Sequence, residues 1–83
     1  MIFLVEYDRK QGQLLRLDTF DDSGRLKAEE ARHTLEQELQ RRGVQHEVVL
    51  LEAASEEALR KTHRRYFATA TELARAVGDA QRQ

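Results

Sequence analysis

The chain has 83 residues, so it is long enough for one small domain and too short for two independent hydrophobic cores. Its 14 Lys and Arg side chains balance 15 Asp and Glu side chains, and the net charge of −1 excludes a global field that draws the protein to nucleic acid or to an anionic membrane. Cysteine is absent, which excludes disulfides, thiolate nucleophiles and cysteine metal sites and leads us to expect a cytoplasmic protein.

The first predicted element is a β-hairpin. Residues 2–8 and 13–20 are rich in β-branched, aromatic and apolar side chains, and Gly12 ends the loop between them. A loop over residues 9–12 pairs Asp8 with Gln13. One face of the hairpin then carries Ile2, Leu4, Glu6, Leu15, Leu17 and Thr19, and the other carries Phe3, Val5, Tyr7, Leu14, Arg16 and Asp18. The opening apolar run is too short for a signal-peptide core or a membrane span.

An α-helix is predicted next. The candidate capping residues Asp21, Asp22 and Ser23 precede a segment rich in Glu, Arg, Gln, Ala and Leu. The segment ends with two arginines before Gly43, which suits the helix dipole and a left-handed C-terminal cap. Because its apolar stripe is narrow, this helix can cover a sheet face only thinly. The stripe consists of Ala28, Ala31, Leu35 and Leu39.

Residues 44–53 form the third predicted strand. Its centre, residues 48–51, is apolar at consecutive positions rather than alternating, so both of its sides are expected to be buried. A crossover through the first helix places this strand beside the second strand or beyond the first, and the apolar first strand suits a central place. We therefore predict an α+β domain, a two-layer α/β arrangement of order β-β-α-β-α, with a three-stranded mixed sheet in the order 2-1-3.

A second helix is predicted over residues 55–77. Ser55 is a good N-cap before two glutamates. The apolar positions share one helix face with His63, and they are Leu59, Tyr66, Phe67, Ala70, Leu73, Ala74 and Val77. Gly78 is the expected stop, so a single domain covers residues 1–78 and residues 79–83 form a frayed tail.

Both faces of the predicted sheet are apolar. A monomer covers both only if its helices lie on opposite faces, because soluble monomers rarely expose large apolar patches. The alternative is a second subunit that closes one face by sheet stacking, by exchange of the C-terminal helix or by pairing of edge strands. We favour a homodimer, and the sequence leaves the three geometries open.

A basic stripe follows the outer face of the second helix. The candidate partner-binding residues are Arg60, Lys61, Arg64 and Arg65, and the weaker candidates in the same region and in the hairpin loop are Arg9, Lys10 and Tyr66. Glutamates stand one helical turn before Arg60 and Lys61, at the spacing of helical ion pairs, which leaves two arginines without a local partner. Proteins that bind duplex DNA commonly make about 6–10 phosphate contacts, so this stripe is a small footprint.

His46 and His63 are weaker candidates for a metal or catalytic site. His46 shares the strand parity of Val48, and His63 lies on the apolar face of the second helix, so the two rings could meet in the interior. We favour a structural role for both, because no H-x-x-x-H, HExxH or histidine-carboxylate spacing accompanies them. His33 falls on the exposed side of the first helix.

Catalytic templates are not matched by the sequence. No pair of carboxylates is forced together by its spacing, both serines stand at predicted helix starts, and P-loop, nucleophile-elbow and dinucleotide patterns are absent. We predict a non-catalytic interaction module without metal or cofactor, homodimeric, that presents Arg64 and Arg65 to a partner. The alternatives are a nucleic-acid-binding module that uses the basic helix face, and a small enzyme or metal-dependent protein around His46 and His63.

Overall fold

A computed structural model describes residues 1–67, and its elements follow the predicted order β-β-α-β-α. The strands are β1 (Ile2–Asp8), β2 (Gln13–Phe20) and β3 (Glu47–Glu52), and the helices are α1 (Arg25–Arg42) and α2 (Glu56–Thr62). Short 3-10 turns precede α1 at Asp22–Gly24 and follow α2 at Arg64–Tyr66. Among residues 1–67, no helix is both long and apolar enough to span a bilayer.

The sheet has the predicted strand order, β2-β1-β3, with β1 in the centre. The prediction of a mixed sheet is wrong, because β1 pairs antiparallel with both of its neighbours. The crossover through α1 makes β3 parallel to β2, but the strand between them runs opposite to both. Every hydrogen-bonded strand pair in this sheet is therefore antiparallel.

The hairpin starts with the predicted pair of Asp8 and Gln13, but a β-bulge at Leu15 shifts the register of the rest of β2. Side chains alternate between the faces of a strand, so one extra residue exchanges the faces of all later positions. Leu17 consequently lies opposite Val5, although the sequence placed the two on different faces. The predicted face assignment is therefore wrong from the bulge onward.

Helix α1 and the 3-10 turn after α2 lie on opposite faces of the sheet. Leu39 of α1 lines a groove with Val48 of β3, whereas Tyr66 packs on the other face against Val5 and Tyr7. Partly buried apolar side chains complete this second cluster, namely Leu14, Leu17, Val49, Leu51 and Phe67. The central strand is consequently buried from both sides within one chain. The described residues therefore form three layers, with the sheet in the middle, whereas the sequence predicted two layers.

Helix α1 begins and ends at glycines. Gly43 is the C-cap with a φ of 69°, in the left-handed conformation that the sequence predicted. The predicted capping by Asp21, Asp22 and Ser23 is wrong, because the N-cap is Gly24 and no side chain caps the helix. The 3-10 turn before the helix uses these residues instead. Of the apolar stripe, Ala28 and Leu39 are buried, and His33 is exposed as predicted.

Helix α2 is shorter than predicted. Its N-cap is Ser55, as expected, whose Oγ accepts a hydrogen bond from the backbone N–H of Ala58 at 3.1 Å. The helix ends at Thr62, and His63 leaves the helical conformation with φ −124° and ψ 51°. This break lets Tyr66 reach the sheet, where its burial outweighs the helix propensity of the segment. The predicted positions at 68–77, the stop at Gly78 and the tail lie outside the described residues.

Candidate interaction surfaces

Two of the predicted basic residues converge on one glutamate of the sheet. Glu47 is the first residue of β3, and its side chain is 16% exposed. Nη2 of Arg65 donates hydrogen bonds to both carboxylate oxygens of Glu47, at 2.7 and 2.5 Å, and Nε of Arg9 lies 3.3 Å from the same carboxylate. Arg65 therefore lacks a local partner, as predicted, but it is not free for another molecule, because it pairs with a glutamate 18 residues away in the chain.

The surroundings of Glu47 favour its charged form. The hydrogen bonds from Arg65, with the adjacent Tyr66 hydroxyl, hold the pKa of the Glu47 carboxyl below its ordinary value of 4.5, against the opposing effect of partial burial. Burial raises the pKa of the Tyr66 hydroxyl above 10.0, and the neighbouring Glu47 carboxylate raises it further. At neutral pH the cluster thus holds a carboxylate, two guanidinium groups and a neutral phenol.

Glu47→Gln is expected to lower the free energy of unfolding by about 1 kcal/mol at pH 7, because the guanidinium of Arg65 then loses its charged partner. The folded-state pKa of Glu47 lies below its unfolded value, so this stabilisation is present above pH 4.5 and is lost as the pH falls through the folded-state pKa. Urea denaturation at pH 7 and near pH 3 should therefore show the difference between the wild type and the variant shrinking in acid.

The matched control for this prediction is Glu57→Gln on α2. The Glu57 side chain is 81% exposed and lies 3.4 Å from Nζ of Lys61. Exposed pairs of this kind contribute about 0–1 kcal/mol, so the control should change the free energy of unfolding little at either pH. Equal losses for Glu47→Gln at both pH values would contradict the assigned charge effect.

Two other cations of the basic stripe also have local contacts. Nη2 of Arg60 lies 3.7 Å from Glu56, and its guanidinium stands 4.6 Å from the ring centroid of Phe67. Lys61 pairs with Glu57, as the helical spacing predicted. For Arg64, residues 1–67 provide no ion pair within 4.0 Å. The exposed Lys10 donates its backbone N–H to Oδ1 of Asp8 at 2.9 Å, which fixes the hairpin loop.

Tyr66 is part of the core rather than a surface for stacking. It is 8% exposed and meets the ring of Tyr7 edge-to-face, with the two centroids 5.2 Å apart. The guanidinium of Arg65 covers the ring at 4.6 Å from its centroid. The ring of Tyr66 is therefore not available to a base or another planar ligand.

Each of the two candidate histidines has its own partner. Nδ1 of His46 lies 2.7 Å from Oε2 of Glu6, and its Nε2 lies 3.9 Å from Oδ2 of Asp8. Nδ1 of His63 lies 2.9 Å from Oγ1 of Thr62. The structure does not bring the two rings together. Residues 1–67 form no cluster of three or more side chains suited to a metal ion.

A surface beside β3 was missed by the sequence reasoning. β3 is an edge strand that pairs with β1 alone among the described strands, and every residue from Glu47 to Leu51 is only partly buried. Along its flank, α1 presents four half-exposed residues of alternating charge, which we call the charged stripe: Arg25, Glu29, Arg32 and Glu36. Part of the stripe lines a groove with Val48, Val49 and Leu50.

The charged stripe is held together by helical ion pairs. The Arg25–Glu29 and Arg32–Glu36 contacts each measure 3.5 Å, and Arg32 lies 3.8 Å from Glu29. Arg25 also pairs with Glu52 at the end of β3, which ties the start of the helix to the edge strand. The alternation of charge at helical spacing was the readable signal for this surface. No protein-family model, curated protein or solved structure matches the chain.

Proposed function

We propose that the protein is a non-catalytic interaction module that acts as a homodimer in a reducing compartment such as the cytoplasm. The observation that carries the proposal is the outer edge of β3, which has no strand partner within residues 1–67. A strand edge presents unpaired N–H and C=O groups that pair readily with another strand, and proteins normally protect such edges with charges, prolines or bulges.

The two edges of this sheet differ in that protection. β2 carries the bulge at Leu15, and its Arg16 and Asp18 form an ion pair of 2.7 Å. β3 carries neither a bulge nor a charge between Glu47 and Glu52, and its centre is four consecutive apolar residues. The outer edge of β3 therefore has the features of a strand that pairs with a partner.

The proposal of a non-catalytic role is supported by the shifted titratable groups. Among residues 1–67, the shifted pKa values belong to the cluster of Glu47, Arg65 and Tyr66 and to the exposed helical pair of Glu38 and Arg41. In both places each carboxylate is stabilised in its charged form by an arginine. Such ion pairs serve structure, because a lowered pKa moves these two carboxyl groups away from the neutral range in which a general acid or base works.

The partner surface differs from the one first expected. Arg65 is committed to Glu47, and both Arg60 and Lys61 face glutamates of their own helix. These pairs reduce the positive charge that the end of α2 can offer to phosphates or to an acidic protein. The edge of β3 is the better supported contact surface, because its apolar side chains are only partly buried and its outer backbone groups have no strand partner among the described residues.

Sedimentation equilibrium of the full chain at micromolar concentration tests the proposal. The wild type is expected to have twice the 9.7 kDa mass of the chain. Val49→Lys and Leu50→Lys place a charge at the centre of the edge on opposite faces and should each yield a monomer. A circular-dichroism melt of each variant checks that it folds.

The matched control is Leu15→Lys on the other edge, where the native side chain is 44% exposed. This variant should remain dimeric, because the bulged edge takes no part in the contact. A wild type that stays monomeric over the whole concentration range would overturn the proposal.

A further inference from the structure

We propose that the second copy docks about a two-fold axis, with β3 paired antiparallel to β3 of its partner. The charged stripe of α1 then faces the charged stripe of the partner, which runs in the opposite direction. The inference rests on the proposed function, because it specifies the contact of the proposed homodimer. The result is one continuous six-stranded sheet with the two α1 helices side by side on one face.

The strand β3 is complementary to itself. Its sequence runs from an acidic residue through four apolar residues to a second acidic residue, so the pattern of charge is the same in both directions. In an antiparallel pair, opposed residues share a face, so a two-fold axis perpendicular to the sheet passes at Val49 or at Leu50. Apolar side chains then meet apolar side chains at the centre of the contact.

The acidic ends of β3 are compensated within each chain. Glu47 is held by Arg65 and Arg9, and Glu52 is paired with Arg25. Two acidic residues would repel each other if they approached across the contact unneutralised. The arginines reduce that repulsion.

The charged stripe is also complementary to itself. Its signs along the helix are positive, negative, positive and negative, so the reversed order opposes every charge with its opposite. Arg25 then faces the partner's Glu36, and Glu29 faces the partner's Arg32. A parallel arrangement of the stripes would oppose like charges, so the stripe selects the antiparallel orientation that the strand pairing also needs.

The two self-complementary elements share one axis. The pair of Arg25 with Glu52 aligns the start of the stripe with the end of β3. The middle of the stripe, between Glu29 and Arg32, lies about 8 Å along the helix from Arg25, at about 1.5 Å per residue. The same distance covers about 2.5 residues of a strand and leads from Glu52 to within about half a residue of either possible axis position, Val49 or Leu50. The groove that the charged stripe and residues 48–50 line together is consistent with this alignment of α1 along β3.

The spacing across the sheet also suits helix packing. α1 packs mainly over β1 and β3. Neighbouring strands are about 4.8 Å apart, so a helix above the space between β1 and β3 lies about 10 Å from its two-fold mate. Packed helices have axes about 8–10 Å apart, which brings the two charged stripes within reach of each other.

Arg32 has an unused hydrogen-bond donor at this surface. Its Nε is buried and has no hydrogen-bond partner among residues 1–67, although its terminal nitrogens lie 3.8 and 3.5 Å from Glu29 and Glu36. Buried donors are normally paired, because an unpaired one loses its hydrogen bond to water. The Arg32 side chain as a whole is 39% exposed, and in the docked arrangement the partner's Glu29 lies opposite it and can pair with its terminal nitrogens.

Charge reversal of the stripe tests the docking. The acidic variant is Arg25→Glu with Arg32→Glu, and the basic variant is Glu29→Arg with Glu36→Arg. Each alone opposes like charges, so its dimer should weaken by about tenfold or more. An equimolar mixture should restore a dimer, and native mass spectrometry should identify it as the heterodimer of one acidic and one basic chain. Mixing cannot restore a chain that fails to fold, so the heterodimer reports on the interface itself.

The control variant is Lys27→Glu with Arg41→Glu, which makes the same charge change as the acidic variant at exposed residues outside the stripe. Like the acidic variant, it also breaks a helical ion pair, that of Arg41 with Glu38. It should dimerise as the wild type does. A monomeric wild type would overturn the proposed function together with this docking. Two results would overturn the docking alone. One is a dimeric wild type whose acidic and basic variants each self-associate as well as the wild type and show no preference for the heterodimer. The other is a control variant whose dimer weakens as much as that of the acidic variant.

Discussion

Leu59→Ala is expected to lower the free energy of unfolding by about 2–5 kcal/mol, the usual cost of truncating a fully buried leucine. Leu59 is 0% exposed and is the buried side chain of α2. A chain of 83 residues has a total stability of about 4–12 kcal/mol at the usual 0.05–0.15 kcal/mol per residue. One substitution in a short helix thus removes a large part of the stability of the whole domain.

Leu26→Ala is the matched control, because the same atoms are removed from a helical leucine that is 73% exposed. Its effect should stay within about 0.5 kcal/mol, since alanine is a better helix former and little burial is lost. Urea denaturation followed by circular dichroism, at one protein concentration for all variants, measures both. Similar losses at the two positions would mean that α2 is not anchored by Leu59.

Tyr66→Ala is expected to lower the free energy of unfolding by about 3 kcal/mol, as for other buried aromatic residues. The ring fills the cluster with Val5 and Tyr7, and its loss also removes the surface on which the guanidinium of Arg65 rests. The pairing of Arg65 with Glu47 should weaken as a result. Urea denaturation near pH 3 and at pH 7 should then show a smaller pH dependence of stability than in the wild type.

Tyr66→Phe separates the ring from its hydroxyl. The phenylalanine keeps the edge-to-face contact with Tyr7 and loses the oxygen that accepts a hydrogen bond from Nη2 of Arg65 at 3.2 Å. A loss of about 0.5–1.5 kcal/mol is expected for one such hydrogen bond. If Tyr66→Phe were as damaging as Tyr66→Ala, the hydroxyl rather than ring packing would hold the C-terminal segment on the sheet.

The features that the sequence predicted correctly depend on neighbours in the chain or on overall apolarity. The central position of β1 followed from its apolar character, and its buried residues confirm that reasoning. The left-handed Gly43 and the N-cap Ser55 followed from local backbone chemistry. The helical pair of Glu57 and Lys61 followed from one turn of spacing.

The features that were missed depend on residues far apart in the chain. The bulge at Leu15 turns Leu17 toward the cluster with Val5, and no local signal in β2 marks that position. The break at His63 is explained by the burial of Tyr66 against the sheet, which an isolated helix cannot show. The candidate interaction surface needed both the charge alternation of α1, which is readable, and the adjacency of that helix to β3, which is not.

The bulge at Leu15 also limits how large an assembly can become. A sheet with two open edges can add copies at both ends and grow into a filament, as cross-β aggregates do. In the proposed dimer the bulged strands lie at both outer ends of the six-stranded sheet, so the described strands would offer no further unbulged edge to a third copy. Raising the protein concentration should therefore increase the number of two-chain particles and not their length.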